Sequence, residues 1–380
     1  MIAAAPPPTS PSASPFARAA LMAYLLLIVY ASWYPFTGWQ DIGVSPFAFL
    51  TAPFPRYWTL FDVWTNVVGY VPFGALAVLA LYPLLRGAAA WLLASLAGVL
   101  VSGGMEAVQT FLPNRVSSNV DFYTNATGAC IGALLGLLLT PPLLQRGRLR
   151  LLRQRWFAPE ASRGLIVIAL WPLAQIYPQA FLFGHGQLLP ILSDWLSSWL
   201  SMPIDLGDLL RHGAELTVEQ YWLSETIITA CGLTGAVLTL LSLLNREAPK
   251  LPLALLVLVA ALTVKSLACA LLFAPDNAFV WLTPAAFGGI LIGALMLAGL
   301  LFTRPYAQRR LAIVTLLISL AVLNAIPANP YFIATLQTWV QGKFLNFNGA
   351  AQFLSLLWPF SALWFLFRRS AEAKPGARYH

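Results

Sequence analysis

The sequence predicts an all-α, polytopic transmembrane bundle of about ten helices with both termini in the cytoplasm. Composition, the length of the apolar stretches and the placement of positive charge carry that expectation. Hydrophobic residues make up 59% of the chain and charged residues only 9%, against about 25% charged in a soluble domain. Mean hydropathy is +0.74. The alternating strands that a transmembrane barrel needs do not occur. The apolar stretches run about 16–24 residues, enough to cross a bilayer as helices.

Ten such stretches lie near 18–34, 62–83, 90–112, 120–139, 164–182, 221–244, 251–272, 281–302, 310–326 and 349–367. The fifth contains Pro172 and Pro178 and is expected to kink. The ninth is short. With the amino terminus inside, 17 Lys and Arg fall in cytoplasmic segments. Only 4, Arg56, Arg115, Arg211 and Lys343, fall outside. That asymmetry, alternating over every loop, supports ten spans and two cytoplasmic ends. The net charge of +8 therefore reads as topology. Nucleic-acid binding would need a clustered basic face.

The same pattern divides the chain. Residues 1–17 read as a disordered, Pro-, Ala- and Ser-rich cytoplasmic tail. Residues 18–140 read as a four-helix domain and 141–163 as a basic cytoplasmic linker. Residues 164–368 read as a six-helix region with an outer loop at 183–220, and 369–380 as a second cytoplasmic tail. The first apolar run lacks a small-residue cleavage site and reads as an uncleaved helix. In the outer loop Leu188, Leu192, Trp195 and Trp199 share a helical stripe, and Ser193, Asp194, Ser197 and Ser198 face away. This suits a helix lying on the membrane surface, or one packed on the bundle. Cys130, Cys231 and Cys269 fall in apolar stretches with no metal-thiolate spacing. Nucleotide-loop, dinucleotide and zinc-hydrolase motifs are absent, and no cofactor is expected.

A short segment occurs twice. Residues 62–69 read Asp-Val-Trp-Thr-Asn-Val-Val-Gly, and residues 121–128 read Asp-Phe-Tyr-Thr-Asn-Ala-Thr-Gly. Each copy places an acid and an amide one turn apart on one helix face. Glu106 and Gln109 form another such pair between the copies. The topology brings Asp62, Asn66, Glu106, Gln109, Arg115, Asp121 and Asn125 to one depth at the outer face. The copies run parallel, so a two-helix unit used twice, with its site between the copies, is expected. Equivalent roles for Asp62 and Asp121 follow from that symmetry.

Plainer roles exist for most of these groups. Asp62 and Asp121 suit helix N-caps, and the amides suit interhelical hydrogen bonds. Gly69, Gly128 and Gly132 suit close helix approach. Glu106 lies inside an apolar run and needs a partner if ionised, with Arg115 the nearest candidate. Lys265, mid-span in the seventh stretch, needs a partner or a cavity. Asn346 and Asn348, entering the last stretch, suit either the same outer cavity or a turn.

Asp62-x3-Asn66, Pro72-Phe73-Gly74, Glu106-x2-Gln109-x-Phe111-x-Pro113-x-Arg115 and Asp121-x3-Asn125-x2-Gly128 together resemble the VanZ-like family. The Tyr34-Pro35-Phe36 turn does too. That family is named for a teicoplanin-resistance protein of glycopeptide-resistance clusters. The resemblance covers about residues 20–140. It implies a bacterial inner-membrane protein with a four-helix unit and a functional role for the matching acids, amides and Arg115. It implies no settled reaction.

Three function classes follow. In the first, the seven polar residues bind a membrane lipid or lipid-linked envelope precursor and lower glycopeptide sensitivity. In the second, an envelope lipid transferase or hydrolase uses Glu106, Asp62 and Asp121 as acid and base, or around a divalent metal. The third is a transporter, disfavoured because the polar groups gather at one face and not near the midplane.

Overall fold

The computed structural model describes residues 14–34, 36–55, 58–145, 148–158, 161–214, 216–273, 275–327 and 345–372. Residues 1–13 and 373–380 of the expected tails lie outside them, as do the side chains of Asn346 and Asn348. Two compact units divide the chain, Met1–Arg155 and Trp156–His380. Among the described residues the regular elements are all helices, with no strand.

The first unit holds α1 (Pro15–Trp33), α2 (Leu60–Leu81), α3 (Gly87–Gln109) and α4 (Asn119–Thr140). A π-helical turn, Pro141–Gln145, and α5 (Arg148–Trp156) follow. Local sequence starts these helices. Ser14 caps α1 ahead of Pro15, Thr59 caps α2 and Ser118 caps α4. Each supplies an oxygen to a backbone N–H that has no helical partner.

Backbone contact between α2 and α4, which run parallel, organises the unit. Gly128, Gly132 and Gly136 recur every fourth residue along α4. A Cβ on Gly132 would lie 2.0 Å from the Val71 carbonyl oxygen, and one on Gly128 2.2 Å from that of Val67. A Cβ on Gly74 of α2 would fall just as close, 2.0 Å, to the Ala129 carbonyl oxygen. Without apolar burial against water to drive it, helix association in a membrane relies on such close contact. Gly69 departs from its expected role, because nothing lies within 4 Å of its Cβ position. Its carbonyl instead accepts from Tyr24 Oη of α1 at 2.6 Å.

The second unit holds α6 (Ser162–Ala174), α7 (Leu189–Leu200), α8 (Leu206–Arg211) and α9 (Val218–Leu241). It continues with α10 (Lys250–Leu272), α11 (Pro284–Leu300), α12 (Pro305–Ala325) and α13 (Leu345–Glu372). Its core gathers around α9, where Leu233, Val237 and Leu241 pack with Trp171, Leu316 and Trp358.

Among the described residues, seven helices (α1 to α4, α9, α10 and α12) are long and apolar enough to cross a membrane. Two more apolar helices, α6 and α11, are shorter. With α13, each of the ten expected stretches contains a helix. The fifth differs most: helix continues only to Ala174, and residues 175–188 are irregular. Pro178 has no N–H to extend a helix and restricts Tyr177 before it. Gln175 and Gln179 donate back to the carbonyls of Trp171 and Ala174 that the ending helix leaves open.

The outer-loop helix also differs from expectation in detail. Trp195 and Trp199 stack with ring centroids 6.3 Å apart and lie exposed. Ser193 and Ser197 do not face water. They accept from the amides of Leu206 and Ile204 at 3.0 and 2.9 Å and fold the chain back into α8.

Candidate functional site

The starts of α2 and α4 and the ends of α1 and α3 come together at one end of the first unit. All seven expected residues lie there, in two different settings.

One setting is a clasp on the end of α1. Arg115, on the turn between α3 and α4, donates through Nη2 to the carbonyls of Tyr34 and Ala31. Gln109 Nε2 donates to the Ser32 carbonyl at 3.0 Å. Trp33 Nε1 answers from α1, donating to the Met105 carbonyl at 3.4 Å. A cation and an amide thus satisfy carbonyls that end a helix without partners. Partial burial lowers the Arg115 pKa from the ordinary guanidinium value, yet arginine stays charged. The expected Glu106–Arg115 pair does not form. Arg211 and Asp208, in the second unit, do form an ion pair.

The other setting is the polar seam between α2, α3 and α4. Glu106 is 2% exposed, and its Oε2 accepts from the Ser118 backbone amide at 2.7 Å. That bond ties the end of α3 to the N-cap of α4. Asn66 Nδ2 of α2 donates to Asp121 Oδ1 of α4 at 2.8 Å, joining the two copies of the repeat. Glu106, Asp121 and Asp62 lie within electrostatic reach of one another in that order.

The copies are not equivalent. Neither Asp is an N-cap; each occupies the third helical position, behind Thr59 or Ser118. Asp62 closes a capping box: its Oδ2 accepts from the Thr59 backbone N–H at 3.0 Å and from Thr59 Oγ1 at 2.7 Å. It stays exposed at the helix end. Asp121 makes no return bond to Ser118 and takes Asn66 instead. Asn125, the mate of Asn66, is buried with its Oδ1 unpartnered.

Of the other buried polar atoms that border this seam, Asn119 Oδ1 has no partner, whereas Ser117 Oγ lies against Glu106 and Tyr70 Oη against Ser102. Buried polar atoms are normally hydrogen-bonded, so the seam has unused acceptors. Carboxylate and amide oxygens face hydroxyl groups, with no cation among them. The set suits a ligand bearing amines, hydroxyls or peptide groups. It does not suit a metal held by acidic side chains. Among the described residues no three His, Cys, Asp or Glu side chains converge as ligands.

Residues 19–140 match the family model described as VanZ/LLP1. These residues are a VanZ-like domain. No curated protein and no solved structure matches the chain. The VanZ-like domain takes in four apolar helices long enough to span a bilayer, and the protein is a multi-pass membrane protein.

Several residues around the VanZ-like seam escaped the sequence reading. Thr59 and Ser118 extend the repeat to Thr/Ser-x2-Asp-x3-Asn, a pattern visible in the sequence as capping chemistry. Tyr70 and Ser102 carried no such signal. Ser102 is fully buried and donates to the Phe122 carbonyl at 3.3 Å. A lone Tyr or Ser in an apolar helix reads as packing until its neighbours are known.

Proposed function

We propose that the VanZ-like domain binds the polar head of a lipid-linked cell-envelope component at the extracytoplasmic face of a bacterial inner membrane. By changing how that component is displayed, it lowers glycopeptide sensitivity. One observation carries this reading: buried Glu106 and the Asn66–Asp121 bridge lie together at one end of the bundle, beside unpartnered polar atoms. Intramembrane ionisable groups are costly and mark functional sites. The seam offers oxygens for amines and hydroxyls. Arg115 adds a charged group at its edge, with a buried Nε that has no acceptor. The distribution of Lys and Arg supports the extracytoplasmic placement, with both termini inside.

Susceptibility of a host strain with and without the protein tests this. Teicoplanin susceptibility should rise when the protein is removed. Glu106→Gln should behave like removal while reaching the membrane at the wild-type level. Wild-type resistance from that variant contradicts the proposed role of the seam.

Envelope lipid modification is a second reading, favoured by a buried Glu106 with no cation beside it. A carboxyl group in that setting suits proton transfer. Product formation from a labelled envelope lipid, abolished by Glu106→Gln with binding retained, would decide for the enzyme.

A further inference from the structure

The second unit contains a buried polar centre that the seam does not involve. Past Ala174 the chain runs on as irregular backbone, buried continuously over residues 181–186. Such backbone at membrane depth persists only where protein or a water-lined cavity satisfies it. Discontinuous helices of this kind form binding sites in membrane proteins.

His185 lies at the middle of the centre. Gln175 Nε2 is 2.6 Å from His185 Nε2, and Gln179 Nε2 is 2.6 Å from His185 Nδ1. Ser355 Oγ, from α13, is 3.3 Å from the same Nδ1 and also contacts Gln179. Lys265 of α10 closes the group. It is 1% exposed, and its Nζ makes one long bond, 3.5 Å, to the Tyr177 carbonyl.

The balance of donors and acceptors points to a ligand class. A neutral imidazole accepts at one nitrogen only, so one of the two amides must turn its oxygen to the ring N–H and give up its bond to the Trp171 or Ala174 carbonyl. That leaves a single unpartnered amide oxygen on Gln175 or Gln179. Against it stand the remaining ammonium hydrogens of Lys265 and the indole N–H of Trp171, which is fully buried without an acceptor. Trp171 packs on Trp358, whose ring lies 5.6 Å from His185. Among the described residues no carboxylate forms an ion pair with Lys265. A buried ammonium without counter-charge is costly.

We propose that Lys265, with the Gln175–His185–Gln179–Ser355 group beside it, is an anion-binding centre of the second unit. It takes a compact anion, either free or as the charged end of a lipid. Lys265 would otherwise serve only to cap the Tyr177 carbonyl, which predicts no response to anions.

Thermal unfolding of the full chain in phosphatidylcholine nanodiscs separates these roles. Chloride, acetate and inorganic phosphate are each titrated against gluconate at constant ionic strength. The wild type should show a saturable rise in Tm with at least one of them, about 5–10 °C at a hundredfold excess over Kd. The rise should vanish in Lys265→Met and persist in Lys265→Arg. Replacing part of the lipid with phosphatidylglycerol tests the lipid source: a Lys265-dependent rise there, with none from the free ions, identifies a headgroup. Equal responses of wild type and Lys265→Met to every probe, flat or rising, overturn the proposal.

Discussion

Asn66 and Asn125 occupy matching places in the repeat, but only Asn66 meets a carboxylate. The difference arises one turn away, where Thr59 engages the Asp62 carboxylate and Ser118 leaves that of Asp121 available. Asn66→Ala should therefore destabilise the protein by about 0.6–1.7 kcal/mol, the range for interhelical hydrogen bonds in membranes. Asn125→Ala should cost less than about 0.5 kcal/mol, because its buried oxygen has no partner to lose. Thermal unfolding of both variants in nanodiscs checks the pair, and equal losses would contradict the asymmetry. Arg115→Met should cost about 1.5–3 kcal/mol by removing charge-assisted bonds to the end of α1. Proteolysis at the α1 end should accelerate in that variant. Glu106 was legible as the group in need of explanation, because a carboxylate in an apolar run stands out by composition alone. Its partner was not. The sequence offers side chains for pairing, whereas the Ser118 amide and the α1 carbonyls are backbone groups that appear only once helix ends are placed.

At the scale of elements, the contact between α2 and α4 sets the geometry of the seam. Gly132→Ala should separate the two helices, since its Cβ would fall 2.0 Å from backbone. A loss of about 1–3 kcal/mol is expected from such overpacking. Gly104→Ala is the control: with nothing within 4 Å of its Cβ, it should be neutral or stabilise α3 by up to about 1 kcal/mol. Equal effects at the two positions would contradict the packing account. The helices themselves were readable, because apolar length is a local property of the chain. The end of α6 was not, because Pro172 and Pro178 permitted a kinked span. The break is fixed by Gln175, Gln179 and His185 bonding to one another and to α13. The serines of α7 misled for a similar reason: polar residues opposite an apolar stripe read as solvent-facing, but here they hold the turn into α8.

For the whole molecule, the distribution of Lys and Arg predicts opposite sides for two well-exposed positions. Val116 and Phe302 are 85% and 83% exposed. In a background lacking Cys130, Cys231 and Cys269, Val116→Cys should react with an impermeant maleimide from outside intact cells. Phe302→Cys should react only after permeabilisation, and the reverse pattern would invert the topology. The division into two units corresponds to a VanZ-like domain and a region, residues 156–380, with its own buried polar centre. Lys265 was recognisable in the sequence as a cation at mid-span, whereas the groups around it come from distant segments and gave no shared pattern. The proposed ligand site centres on the seam at Glu106. Native mass spectrometry of the full chain from lipid nanodiscs, with wild type, Glu106→Gln and Glu106→Ala side by side, tests it most directly. A retained envelope lipid on the wild type, lost from both variants without loss of folded protein, is the predicted result; the same adducts on all three proteins, or none on any, would contradict it.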